Sequence, residues 1–302
     1  MFRTIVAGCN GRERGRGAVS LAHAIATATG ARLLLVGVHH NPPLPFPSGY
    51  ADQRHELERD LRAVRDELAP EAVIQIHADM SPAHALRHVA RYEGADLVVV
   101  GSRHRRRRQH IAESDHAMQV LHGARCAVAV APDPLAPRPE LRRIGVGIDA
   151  THESTVALEM ACDLARRTGA RLQLVAVADD GASPWWGYLP TPVDEETIQE
   201  IVEQRETAVR ALVDERLALC EDVDAEGDVV VGNPAGELIL ASEGLDLLVL
   251  GSRRWGPVKR LALGSTSERV IRHTACPVLV PRRDADTRPD ERTDASDEVT
   301  VE

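Results

Sequence analysis

Short apolar runs alternate along the chain with longer stretches in which apolar residues recur every three or four positions. Residues 144–148, for example, form an apolar run that ends at Asp149, and residues 151–168 then carry apolar side chains at helical spacing up to Gly169. The short runs are typical of buried strands, and the periodic stretches are typical of amphipathic helices that stop at a glycine. This alternation predicts an α/β fold with right-handed crossovers and a parallel sheet covered by helices on both faces.

The two halves of the chain predict the same order of elements. In the first half we predict strands at 4–7, 33–38, 73–76, 97–100 and 127–131, and helices at 18–29, 53–68, 83–91 and about 115–122. In the second half we predict strands at 144–148, 172–177, 229–231, 245–250 and 277–280. Its helices are predicted at 151–168, at about 195–220, in a short segment after the 232–235 turn, and at 267–273.

The chain also repeats itself in sequence. Residues 97–103 (LVVVGSR) recur as 247–253 (LLVLGSR), and the run that begins at Cys126 recurs at Cys276, both at an offset of 150. Earlier matches, such as Ile5 with Ile144, have an offset of 139, so the second half carries extra residues after its second strand, around Trp185 and Trp186. The chain is therefore a tandem of homologous halves.

We divide the chain into two domains, a linker and a tail. Residues 1–132 form the first domain, and residues 141–282 form the second. Residues 133–140 are dense in proline, which predicts an extended and stiff linker. Residues 283–302 are acidic and polar, so we expect a disordered tail that serves solubility rather than specific binding.

Composition limits the classes of function. The 302 residues are 43% hydrophobic and only 3% aromatic, with a formal net charge of -10, which argues against nucleic acid as a partner. Five cysteines, odd in number and without a CxxC pair, predict free thiols in a reducing compartment. There is no signal-peptide pattern at the first residues and no apolar stretch of roughly 18 residues, so we expect a cytoplasmic protein without a membrane partner.

The candidate chemistry lies in the second half. Gly251 directly follows a predicted buried strand, and Gly264, Ser265 and Thr266 lie at the predicted start of a helix, where free N–H groups favour an anion. Asp149 ends the first strand at the same carboxyl edge, where it could accept a hydrogen bond from a ribose hydroxyl or face a metal-bound phosphate. Taken alone, these residues are better explained by a turn and a helix cap than by a ligand site.

The arrangement resembles the universal stress protein family, whose ATP-binding members carry Gly-x2-Gly-x9-Gly-(Ser/Thr) after the fourth strand. Gly251, the nine residues after Arg254, and Gly264-Ser265 follow that pattern, and the resemblance also covers Asp149 and the 232–235 turn. It implies an adenine-nucleotide alpha-hydrolase-like fold, with two tandem open parallel five-stranded sheets of order 3-2-1-4-5 flanked by helices. It further implies ATP, with or without Mg²⁺, as the ligand. The nucleotide contacts that it implies are Asp149, Val177, Gly232, Gly251, Arg253, Arg254, Gly264, Ser265 and Thr266.

The final strands of the two halves, residues 127–131 and 278–280, resemble the strands through which members of this family dimerise. The resemblance therefore implies that the two domains pair as an internal pseudo-dimer, which would also cover apolar edge strands. Whether two chains associate further as a homodimer is left open by the sequence.

Two departures from the family pattern affect the expected nucleotide site of each half. Arg254 replaces the second motif glycine, and its side chain would either obstruct the phosphates or grip them through its guanidinium. In the first half, Asn10 replaces Asp149, His104 replaces a motif glycine, and Ser114-Asp115 replaces Gly264-Ser265. Because a carboxylate at a helix start repels phosphate, we predict that the first domain has a degenerate site.

Three other features favour structural roles. The basic run 103–108 is expected to be a solvated loop rather than a site for an acidic partner, nucleotide or RNA. His39 and His40 are expected in a loop rather than at a metal. Trp185, Trp186 and Tyr188 are expected to pack against the other domain rather than to close over a nucleotide.

These observations predict an ATP-binding regulatory or stress-response protein in which the second domain holds the nucleotide. The alternative is a dimeric scaffold for protein partners that binds no nucleotide. Catalysis is not expected, because no nucleophile and no positioned base beyond Asp149 is evident, although weak ATP hydrolysis is left open.

Overall fold

The computed structural model describes residues 2–11, 13–40, 50–102, 116–132, 135–137, 139–179, 195–252 and 264–282. The strands are β1 (Thr4–Gly8), β2 (Arg32–His40), β3 (Val73–Asp79), β4 (Leu97–Gly101), β5 (Ala127–Ala131), β6 (Arg143–Ile148), β7 (Arg171–Ala178), β8 (Ala225–Val231), β9 (Leu247–Val249) and β10 (Val278–Val280). The helices are α1 (Glu13–Thr29), α2 (Tyr50–Leu68), α3 (Pro82–Tyr92), α4 (His116–Leu121), α5 (His152–Thr168), α6 (Glu195–Leu217), α7 (Pro234–Ala241) and α8 (Ser265–His273). Two short 3₁₀ turns follow α6 and α7, at Ala218–Cys220 and Ser242–Gly244.

The strands form one ten-stranded sheet of order β3-β2-β1-β4-β5-β10-β9-β6-β7-β8. Within each half the order is 3-2-1-4-5 and all pairings are parallel, which confirms the predicted class and the predicted strand order. The prediction of two separate five-stranded sheets differs from the structure, because β10 pairs antiparallel with β5, with Ala129 opposite Leu279, and joins the halves into one sheet. The antiparallel seam places the carboxyl edge of the second half on the same side as the amino edge of the first.

Helices cover both faces of the sheet, and aliphatic side chains fill the layers between. Side chains of α1, α2, α5 and α6 pack on one face, and those of α3, α4, α7 and α8 pack on the other. Strand residues alternate between the two layers, as Ile5 and Val6 do in β1. Val, Leu, Ile and Ala supply almost the whole core, as the low aromatic content requires.

Element boundaries differ from the predictions mainly where the sequence is polar. Strand β8 begins at Ala225 rather than at residue 229. The prediction missed its first residues because Glu226, Gly227 and Asp228 form no apolar run and lie exposed on the outermost strand. Strand β9 is shorter than predicted, and α8 begins at Ser265 rather than at 267. Leu135, in the predicted linker, packs against the core beneath α1.

Several predictions fall on residues outside the described ranges. They concern the basic run 103–108, Trp185, Trp186, Tyr188 and the tail 283–302. Among the helices that are described, none is long and apolar enough to cross a membrane.

Candidate functional site

The candidate site lies where the strand order of the second half reverses. Strand β6 pairs with β7 on one side and with β9 on the other, and the chain leaves β6 toward β7 but returns to β9. The carboxyl ends of β6 and β9 therefore border the crevice in which open α/β sheets bind ligands. Asp149 follows β6 directly, and Gly251 lies two residues beyond β9.

A compact set of hydrogen bonds holds Asp149 at the start of α5. Its Oδ1 accepts a hydrogen bond from the Thr151 amide at 2.9 Å and another from the Thr151 hydroxyl. Its own amide donates to Ser154 Oγ at 3.0 Å, and Thr151 caps α5 by accepting from the Ser154 amide. The Asp149 side chain is exposed, and its Oδ2 makes no hydrogen bond to the residues described here. One carboxylate oxygen is thus fixed and the other is available to a ligand.

Gly251 is in close contact with the first turn of α5. A Cβ at Gly251 would lie 2.9 Å from the carbonyl carbon and oxygen of Glu153 and 3.1 Å from the Ser154 amide nitrogen. Packing against α5 therefore requires glycine at this position. The Gly251 carbonyl also accepts a hydrogen bond from Ser267 Oγ at 3.3 Å, which joins this turn to the start of α8.

The N-terminus of α8 has no capping side chain. Gly264 is its N-cap residue, and the first helical hydrogen bond runs from the Glu268 amide to the Gly264 carbonyl at 2.9 Å. The amides of Ser265, Thr266 and Ser267 therefore have no acceptor within the helix. In contrast, side chains of Ser81, Thr151 and Asn233 cap α3, α5 and α7. An anion at Gly264 would supply the missing acceptor.

Val177 and Gly232 lie farther along the same edge. Val177 is half-buried near the end of β7. It lies two residues after Val175, whose side chain packs on the face of the sheet that α7 and α8 cover. The Gly232 amide donates to the Ala178 carbonyl at 3.0 Å, which holds the turn after β8 against β7. Adjacent strands are about 4.8 Å apart, so the edge from β8 to β9 spans roughly 14 Å. Gly232, Val177, Asp149 and Gly251 follow one another along it.

Comparison with known proteins identifies the family of this chain. The profile of the universal stress protein family matches residues 1–132 and 140–282. The chain belongs to the universal stress protein family. One universal stress protein of Mycobacterium tuberculosis is 28% identical over 256 residues, which cover 80% of this chain and 82% of that protein. A second from the same organism is 27% identical over 234 residues, covering 76% of this chain and 78% of its own length.

Solved structures support the same fold. A universal stress protein from Archaeoglobus fulgidus aligns with a TM-score of 0.64 at 19% identity, over 93% of this chain and 96% of the other. A protein of unknown function from Pseudomonas aeruginosa aligns with a TM-score of 0.61 at 17% identity, over 94% and 93%. At these identities the likeness shows the fold, which extends over nearly the whole of each chain.

Carboxylates surround this edge of the universal stress protein fold. Glu153, in the first turn of α5, is only 8% exposed, and its buried Oε2 has no hydrogen-bond partner among the described residues. Glu268 in α8 is neutralised by Arg272, whose Nη2 lies 2.8 Å from its Oε1. Asp149 and Glu153 have no such cation in the described part of the chain. A polyphosphate at this edge would therefore need a cation with it.

The sequence interpretation named most of this edge but missed three of its residues. Glu153, Ser154 and Ser267 connect α5, Gly251 and α8, yet nothing in their spacing distinguishes them from other polar residues near helix starts. Arg253 and Arg254 lie outside the described ranges. The described residues contain no group of three or more His, Cys, Asp or Glu side chains that could hold a metal ion.

The first half presents a different edge. Asn10 is exposed at the position of Asp149, and Met80, which is 60% exposed, occupies the position of Gly232. Helix α4 begins at His116, and the residues before it lie outside the described ranges. His39 lies within β2 rather than in a loop, and its buried Nδ1 has no hydrogen-bond partner among the residues described.

Proposed function

We propose that the second half of this universal stress protein binds ATP with Mg²⁺ at the carboxyl ends of β6 and β9, and that the bound nucleotide regulates a stress response. The observation that carries this proposal is the N-terminus of α8. Three amides of Ser265, Thr266 and Ser267 lack helical acceptors beside a glycine that supplies no cap. Phosphate oxygens are the acceptors that such a terminus favours, through its amides and its dipole.

The charge of the edge supports a cation as part of the ligand. Asp149 offers an oxygen that no described residue uses, and Glu153, four residues later in the chain, carries a buried oxygen without a partner among the described residues. Mg²⁺ is commonly held by one or two carboxylates together with substrate phosphates. We therefore expect ATP affinity to fall steeply when Mg²⁺ is removed, while the fold is retained.

The proposal is tested by calorimetric titration of ATP and Mg²⁺ into the full chain and two variants. Gly264→Asp places a carboxylate at the N-cap of α8, where the backbone angles of φ -77° and ψ 161° accept any residue. An aspartate cap occupies the free amides and repels phosphate. We expect one site per chain in the parent and no measurable binding in Gly264→Asp.

The matched control is Gly244→Asp, at the amino edge of the same half. A Cβ there meets nothing nearer than Arg143 Nη1 at 3.8 Å, so the substitution is tolerated. We expect this variant to bind ATP as the parent does. Because an aspartate N-cap stabilises a helix relative to glycine by a few tenths of a kcal/mol, Gly264→Asp should lose ATP without losing stability. Equal ATP affinity in parent and Gly264→Asp contradicts the proposal.

We further propose that the Arg254 guanidinium donates hydrogen bonds to a phosphate of ATP rather than blocking the binding site. An added guanidinium offsets the carboxylates of this edge, and charge-assisted hydrogen bonds contribute about 1.5–3 kcal/mol. Arg254→Gly, which restores the family pattern, should therefore weaken ATP binding by roughly 10- to 100-fold in the same titration. Tighter binding would show that the side chain obstructs the site.

One observation favours the alternative of a scaffold that binds no nucleotide. The contact with α5 accounts for Gly251 without any ligand. If ATP releases no heat with a folded, nucleotide-free protein, and equilibrium dialysis also detects no bound ATP, the scaffold function replaces the nucleotide function.

A further inference from the structure

Two cysteines of the second half meet in the core between α5 and the end of α6. Cys162 lies in α5, and Cys220 lies 58 residues later in the 3₁₀ turn Ala218–Cys220. Their sulfur atoms are 2.7 Å apart, and the two residues are 3% and 1% exposed. The sequence interpretation treated all five cysteines as separate free thiols, because nothing in a spacing of 58 residues indicates a pair.

The surrounding contacts hold this junction together. Arg166, one turn after Cys162, forms a salt bridge with Asp222, with Nη2 at 3.0 Å from Oδ1. The Val223 amide donates to the Cys220 carbonyl at 3.0 Å, which closes the turn. Leu219 is 54% exposed and Glu221 is exposed, so Cys220 lies one layer beneath the surface. A local opening of this short turn would bring its thiol to solvent.

The two thiols have opposite electrostatic character. The hydrogen bond between the two thiols, with a smaller contribution from Arg166, lowers the pKa of Cys220. The same hydrogen bond, with burial, raises the pKa of Cys162. Burial raises the pKa of Cys126 to about 12, that of Cys276 to about 11, and also that of Cys9. Thiolates are the reactive form, and Cys220 lies in a short turn between the exposed residues Leu219 and Glu221, so Cys220 is the favoured nucleophile of the pair.

We propose that Cys162 and Cys220 form a reversible disulfide when the protein meets hydrogen peroxide, which makes this junction a thiol oxidation site. The Cys220 thiolate attacks one peroxide oxygen, an S–O bond forms, the O–O bond breaks, and the leaving hydroxide takes the Cys162 proton to become water. The Cys162 thiolate then attacks the sulfenic sulfur. The S–O bond breaks, and the second hydroxide takes up the proton first released by Cys220. The two cysteines lose two electrons and peroxide gains them.

The disulfide would join the middle of α5 to the 3₁₀ turn that follows α6. Cross-linking residues this far apart in sequence restricts the unfolded chain more than a short loop would. Oxidation is therefore expected to raise the denaturant midpoint of the full chain, and a dithiol reductant should restore the original value. The proposal does not depend on nucleotide binding.

The direct test is peptide mapping of the reduced full-length protein after treatment with hydrogen peroxide. We expect a peptide pair that links Cys162 to Cys220, the loss of two of the five titratable thiols, and recovery of both on reduction. A folded protein that keeps all five thiols, or that links any other pair, overturns the proposal. So does oxidation that appears only with unfolding.

Two variants and a control separate the roles of the sulfurs. Cys162→Ser should leave Cys220 as a sulfenic acid that dimedone captures, and Cys220→Ser should give no capture. Cys276→Ser removes a buried thiol elsewhere and should form the disulfide as the parent does. Dimedone capture at Cys162 in Cys220→Ser would reverse the assignment of nucleophile and contradict the mechanism.

Discussion

At the scale of single residues, two glycines of one motif serve different physical purposes. Gly251 is required because α5 packs against its backbone, whereas Gly264 matters because it leaves the amides of α8 without a cap. The sequence located both residues and predicted the second purpose. It could not predict the first, because the contact joins two elements that lie about 100 residues apart in the chain.

Gly251→Ala should destabilise the fold. The added methyl group would come 2.9 Å from the Glu153 backbone, which cannot move without shifting α5. Overpacking of this kind costs about 1–3 kcal/mol in the free energy of unfolding, measured by denaturant titration. Gly236→Ala is the control, because its Cβ would meet only Asn233 at 3.9 Å inside helix α7, and it should add about 0.5–1 kcal/mol. A neutral Gly251→Ala would contradict the packing role.

At the scale of elements, periodicity predicted the buried strands and the amphipathic helices well but missed contacts at their ends. The polar start of β8 could not be recognised as a strand, because an outermost strand needs few apolar residues. The N-terminus of α3 is a second example. Asp79 ends β3, accepts a hydrogen bond from the Ser81 amide at 2.8 Å, and hydrogen-bonds His84 Nδ1 at 2.7 Å, contacts that periodicity does not reveal.

This cluster predicts an acid dependence of stability. The hydrogen bond with His84, followed by that from Ser81, lowers the pKa of Asp79 below its ordinary value. A carboxyl whose pKa is lowered on folding stabilises the protein above its unfolded-state pKa of about 3.9, and that contribution is lost as the pH falls through the folded-state value. Urea titrations between about pH 6 and pH 3 should therefore show a smaller loss of stability in Asp79→Asn.

The control for this measurement is Asp214→Asn, which removes the same charge from an exposed position of α6. It should follow the parent across the same pH range. If Asp79→Asn and the parent lose stability in parallel below about pH 4, the carboxyl does not contribute to the stability of the native state.

At the scale of the whole molecule, the repeat in the sequence predicted two equivalent halves, and the family resemblance implied the pairing of their final strands. The sequence did not predict how closely the halves join. In the structure they share one continuous sheet through β5 and β10. Leu279 lies at the centre of this seam, opposite Ala129 and fully buried. The two halves should therefore unfold together in one transition.

Leu279→Ala should destabilise this single transition by about 2–5 kcal/mol, the usual cost of removing a buried leucine side chain. Leu240→Ala makes the same change at a leucine that is 60% exposed, and it should stay within about 0.5 kcal/mol of the parent. Circular dichroism during denaturant titration measures both. Two separate transitions in the parent protein would contradict the continuous core.

We propose one nucleotide site per chain, and we place it in the second half. Photolabelling of the full chain with an azido derivative of ATP, followed by peptide mapping, tests its location directly. We predict one labelled region that includes peptides around Val177 or Gly232, with labelling prevented by excess ATP and lost in Gly264→Asp. Competable label in the first half, around Asn10 or Met80, would contradict the assignment, and an absence of competable label would contradict nucleotide binding itself.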